Sequence, residues 1–409
     1  MRKLFALLLV VALLVSALPA LAQGGEKTEI TLMGWSSSQA ENDALLAMVD
    51  AFMEANPDIA VDVQLVPEYE TTIQAAFASG EPPEVFYVDS YKLPDWAAAG
   101  VLAPAGDNYE DVEGLYPSLV EAFTYEDTFY CPAKDFSVLA LQYNKDLFDA
   151  AGLEYPNEDW TWEDLRAAAE ALTDPDAGVL GLVTPPELPR WLPFLYQAGG
   201  AVLTDDWSES AFDSEETREA LEFYIGMVQD GIAGPPSAVD AGWGGEAFGQ
   251  GRVAMAMEGN WVIQYLLDQF PDLNWGVAEL PAHPSGNRAT MVFTVCYGVA
   301  AENENPEASW KLVNFLTGEE GARMIAESGF GVMPTRSSVA DLWLETRGEE
   351  IGRAFVAGAE YAYKWQFPVG FGDAIDTFNA GLQLAFQGDY TAEDIILETD
   401  EVIQDVLSR

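Results

Sequence analysis

The chain has 409 residues, 68 of them Asp or Glu against 18 Lys or Arg, for a net charge of −50, and 49% of it is hydrophobic. That length and apolar content suit two domains with well-filled cores and exclude a disordered chain, and the charge excludes nucleic acid and anionic membrane as partners. With one histidine, His283, and two cysteines, Cys131 and Cys296, a zinc site has almost no ligands to draw on, and no cofactor is expected. The acidic residues are spread along the chain, which reads as a solubilising surface rather than one cation trap. His283 sits in the turn-like stretch PAHPSG (281–286), so a Ser-His-Asp arrangement would hang on a surface residue. Cys131 and Cys296 either form one disulfide in an oxidising compartment or remain two buried thiols.

Arg2 and Lys3, the uncharged apolar run 4–18 and the small-x-small Ala20-Leu21-Ala22 read as a cleavable signal peptide over 1–22, with cleavage before Gln23. The run is shorter than the roughly 20 apolar residues a spanning helix needs. No cysteine follows for a lipid anchor, and no twin-Arg pair precedes it, so general secretion into the periplasm or another extracytoplasmic space is expected. Residues 29–33 alternate as a strand, 34–38 form a loop, and apolar residues at helical spacing predict a helix over 40–54, stopped by Asn56-Pro57-Asp58. A strand over 59–66, a helix over 71–78 and a short strand over 85–88 ending at Asp89 complete a β-α-β-α-β order, which calls for a mainly parallel sheet covered by helices. Further on, Thr161 with Asp164 and Asp213 with Glu216 predict capped helix starts, the second helix running through Val228. Strands are expected over 252–257, 275–280 and 291–300, helices over 306–316, from about 318, over 371–386 and over 392–407, and a turn at 334–336.

Several segments, taken in order, resemble extracellular solute-binding protein family 1, the maltose-binding-protein-like carbohydrate receptors of ABC importers. They are ITLMGW (30–35), FMEANPD (52–58), GEPPEVFYVD (80–89), WAAAGVL (96–102), LQYNKDLF (141–148), FGQGRVAM (248–255), MEGNW (257–261), FLTGEEG (315–321) and PTR (334–336). The resemblance implies an α/β, two-lobed periplasmic-binding-protein-like fold of type II, each lobe a mixed, mainly parallel sheet flanked by helices, joined by a multi-segment hinge. It divides the chain into an N-terminal lobe of 23–132 and 294–335 and a C-terminal lobe of 133–293, which includes the first crossing, and 336–409. It puts crossings at 130–137, 291–294 and around Arg336; the first two lie side by side in such proteins, which favours a Cys131–Cys296 bridge. It also implies a monomer that closes on a carbohydrate and docks on a membrane permease.

A sugar offers hydroxyls at its rim and C–H faces above and below, so its site needs aromatic faces with carboxylates or amides beside them. Trp261, in the turn after a strand, matches the family's stacking aromatic. Trp35 and Asp89 end two strands, where α/β folds bind ligands, although Asp89 could equally cap the next turn. Trp191 and Trp243 lie in Pro- or Gly-rich stretches and are expected as walls of the second lobe; Glu68, Tyr69, Asn260, Arg336, Trp365 and Phe371 are further candidates. Relatives often carry a Gly-rich turn near the second crossing; ATMVF (289–293) stands in its place here, which suggests a side-chain contact from Phe293. The rival readings are an exported glycoside hydrolase using two carboxylates and a receptor for a cationic ligand such as a polyamine.

Overall fold

The computed structural model describes residues 27–328 and 331–409, so the leader and its cleavage point lie outside the described residues. The predicted β-α-β-α-β run is present as β1 (Thr28–Trp35), a helix (Gln39–Ala55), β2 (Ile59–Val66), a helix (Tyr69–Ser79) and β3 (Val85–Asp89). Parallel pairing joins β1 to β2 from Thr28↔Ile59 to Trp35↔Val66, and β3 lies on the other edge of β1. Ser38 starts the first helix by accepting the Glu41 N–H at 3.2 Å, and Leu45, Met48, Val49 and Phe52 form its buried face. The second helix stops at Gly80, whose φ of 73° is a left-handed conformation that costs glycine nothing.

A hairpin of β4 (Thr124–Tyr125) and β5 (Thr128–Phe129) leads through Cys131 into β6 (Ala133–Asn144), a strand buried along its whole length. The second lobe supplies β7 (Leu180–Val183), β8 (Ala233–Gly234), β9 (Val253–Gly259) and β10 (Trp275–Ala278). The chain then returns through β11 (Thr290–Val299) and later adds β12 (Ala362–Lys364). The strand order is β2-β1-β3-β11-β6-β9-β7-β8, with β10 beside β6 and β12 beside β11. This is the expected mixed α/β, two-lobed architecture, with the two sheets run together through β6 and β11.

Those two strands make the crossing. Residues Ala133 to Val138 of β6 pair antiparallel with β11, whereas Leu139 to Tyr143 pair with β9. In the same way β11 pairs with β3 from Val295 to Val299. A third segment flanks β6: Phe136 and Met333 exchange backbone hydrogen bonds of 3.2 and 3.0 Å. Cys131 and Cys296 are bonded, with their Cα atoms 5.7 Å apart, and the bridge ties β11 to the segment leading into β6. An ion cluster is buried close by, where Lys134 lies between Asp135 and Glu41, the latter at 2.9 Å. Its ammonium also faces the Tyr87 ring at 5.2 Å.

Helix starts follow local chemistry. At Thr161 the backbone N–H donates to Asp164 Oδ2 at 2.8 Å, in the predicted capping box. The helix Glu215–Gln229 begins one residue later than expected, because Ser214 rather than Asp213 accepts the Thr217 N–H, at 3.2 Å. Arg336 was expected at the cleft and is instead buried in the first lobe. It donates to the Thr317 carbonyl at 2.7 Å and to the Tyr109 hydroxyl at 2.9 Å, and pairs with Asp111 at 2.5 Å. Gly114 leaves room for it, since a β-carbon there would fall 1.9 Å from Nη1.

Candidate functional site

The first lobe presents the ends of β1 and β3. Trp35 is half-buried and meets Tyr69 and Tyr87 edge-on at 5.6 and 5.0 Å. Tyr69 is not a surface residue: its ring is buried and its hydroxyl donates to the Tyr87 carbonyl, so it braces Trp35 from behind. Glu68 is exposed at the start of the helix Tyr69–Ser79, and its carbonyl accepts from Thr72. Asp89 is half-buried and accepts the Tyr91 N–H at 3.3 Å, so it does cap the following turn. Burial raises its carboxyl to about 7; the Tyr91 bond and Lys92 oppose the shift, and Glu70 and Asp135 add to it.

The second lobe presents the ends of β7, β8 and β9 around a cavity of about 780 Å³, lined among others by Glu187, Arg190, Trp243, Gly244 and Glu258. That volume is in the range of small-ligand sites. Trp243 packs edge-on to Tyr265 at 4.8 Å and remains half-exposed. Trp261 follows β9 and meets Phe293 of β11 edge-on at 5.5 Å, both rings half-buried. The Trp261 indole N–H donates to Glu258 Oε2 at 3.1 Å, and Arg190 Nη2 donates to the same oxygen at 2.9 Å. Burial raises the Glu258 carboxyl, and the Arg190 charge works against that rise.

Trp191, expected as a wall, and three of the further candidates are taken up elsewhere. Trp191 is fully buried between Phe212 and Phe378 at 5.9 and 4.8 Å, because its segment is a helix (Leu188–Ala198) and not a loop. Asn260 is buried and stitches the crossing: Oδ1 accepts the Val138 N–H at 3.1 Å, and Nδ2 donates to the Phe136 and Gly331 carbonyls. Trp365 packs on Tyr91 and Phe367, its carbonyl accepting from Ser90 Oγ at 2.8 Å, and Phe371 stacks on Phe367 at 4.3 Å. These last two belong to a strap that bonds to the first lobe and buries its rings in the second.

Sequence reasoning missed Arg190 and Glu258. The available signal was an acidic residue inside the apolar strand VAMAMEG, since a carboxylate buried there requires a cationic partner. Among the described residues no group of three or more His, Cys, Asp or Glu is placed to hold a metal ion. No described helix is long and apolar enough to cross a membrane.

Known proteins share this fold. The sequence model described as bacterial extracellular solute-binding protein matches residues 36–323. An ABC substrate-binding protein from Listeria monocytogenes, solved in complex with cycloalternan, is 29% identical with a TM-score of 0.86, covering 93% of this chain and 99% of its own. A solute-binding protein from Thermotoga lettingae bound to α-D-tagatose is 26% identical with a TM-score of 0.80, covering 93% and 100%. The mannitol-binding protein of Pseudomonas aeruginosa is 25% identical over 85% of this chain and 79% of its own. With the family match spanning well over half of its length, the chain belongs to the bacterial extracellular solute-binding proteins.

Proposed function

We propose that this protein is the extracytoplasmic receptor of an ABC importer, which captures an uncharged sugar or oligosaccharide between its lobes and hands it to a membrane permease. The observation that carries this reading is the Trp261–Phe293 corner, tied through the Glu258 carboxylate to Arg190 on the wall of a cavity of sugar size. Trp35, Asp89 and Trp243 are the remaining contacts in this reading. The similar proteins named above, bound to or named for cycloalternan, tagatose and mannitol, support the ligand class. The lobes are joined by crossings over 130–137, over 291–294 and around Arg336, and closure is a rotation about these crossings driven by ligand contacts on both walls. The leader would deliver the protein to the periplasm, where it works as a monomer. Calorimetry against neutral mono- and oligosaccharides and polyamines tests the reading, with scattering to follow closure. Sugar binding with a smaller radius of gyration is expected; binding of polyamines alone would overturn it.

A further inference from the structure

Arg190, Glu258, Trp261 and Phe293 form one connected unit. Glu258 is 1% exposed, and its Oε2 holds both the guanidinium and the indole N–H. The guanidinium lies over the Trp261 ring at 5.3 Å and the Phe293 ring at 5.7 Å, and the two rings meet at 80°. Two glycines make room: a β-carbon at 244 would fall 2.4 Å from Glu258 Oε1, and one at 259 would fall 2.3 Å from Trp261 Cζ3. Among the described residues only the Nη2 end of Arg190 has a protein acceptor, and Nε has none. A guanidinium carries five N–H donors, and leaving them unmade in a confined site is costly. Nε is buried beyond a ligand's reach, but the side chain lines the cavity, where a ligand meets Nη1, a donor with no protein acceptor among the described residues.

We propose that Arg190 is a ligand-binding residue that donates to hydroxyl or ring oxygens of the sugar, and that Glu258 is the positioning residue holding Arg190 and Trp261 in one frame. Glu258 also balances the guanidinium charge, so the site selects uncharged sugars over their uronate counterparts, the more so beside exposed Glu187. This rests on the sugar reading above. The test titrates wild type, R190K, R190Q and E258Q by calorimetry with the tightest neutral sugar from a panel including maltotriose, mannitol and tagatose, and with its uronate counterpart. R190Q is expected to weaken the neutral sugar about 30-fold, with R190K recovering part of the loss. E258Q leaves the cation uncompensated and should narrow the neutral-to-uronate preference at least about 10-fold, a change of selectivity that partial unfolding does not produce. Neutral-sugar affinity within twofold of wild type in R190Q, or an unchanged preference in E258Q, would overturn the assignment alone. Failure of wild type to bind any neutral sugar would overturn the sugar reading and this assignment with it.

Discussion

Two paired-charge clusters, one on the crossing strand β6 and one at the end of β9, are built from similar groups and differently finished. Lys134 is enclosed: two carboxylates flank it, an aromatic ring covers it, and it is 4% exposed. Arg190 is anchored on one side by Glu258 and borders a cavity on the other. A buried charge that uses its partners up is part of the scaffold, whereas one with donors to spare faces a ligand. Arg336 falls in the first class for the same reason, since its guanidinium is taken up by internal partners, and the uncharged amide of Asn260 is taken up in the same way.

The comparison can be broken in several ways. The largest effect is expected from Lys134→Met, which leaves Glu41 and Asp135 buried without their cation and should cost about 3–5 kcal/mol of stability in urea unfolding; a loss under about 1 kcal/mol would show that the cluster is not scaffold. Next, Trp261→Ala should weaken sugar binding about 10- to 100-fold by calorimetry while moving the melting temperature little. Asn260→Ala should do the reverse, costing about 1–3 kcal/mol of stability with sugar affinity held within a few-fold of wild type at 25 °C. A larger affinity loss there would return Asn260 to the ligand wall. The smallest effect concerns Asp89. Its carboxyl is raised in the folded state to about 7, so its contribution to stability is complete below its unfolded value and is lost as pH rises through about 7. The stability of wild type relative to Asp89→Asn should therefore fall between about pH 4 and pH 7 and level off above. A flat difference would mean that the carboxyl is well solvated.

Much of the first lobe was legible because its strands and helices keep clean periods: β1 and β2 alternate, and Leu45, Val49 and Phe52 repeat at helical spacing. β6 carries Lys134, Asp135, Ser137 and Gln142 among apolar residues and is buried on both faces, so alternation gave no sign of a strand there. Trp191 was misplaced because Pro189 and Pro193 suggested a loop; Pro189 falls in the first turn of a helix, where its missing N–H costs nothing. Trp261 and Phe293 are singled out in the sequence by the turn and crossing that hold them, and the fold brings their rings together. Their partners, Arg190 and Glu258, are not singled out, since only the fold brings residues 68 apart in sequence to one oxygen.

The Cys131–Cys296 bridge has a mechanical meaning in the closure proposed above. It rivets the two main crossing strands at their first-lobe end, across a sequence separation of 165 residues. Bending is left to the unriveted stretch around Ser137 and Phe293, which sit opposite each other in the ladder. The pivot thus falls beside the aromatic corner. Groups there would shift least as the lobes swing.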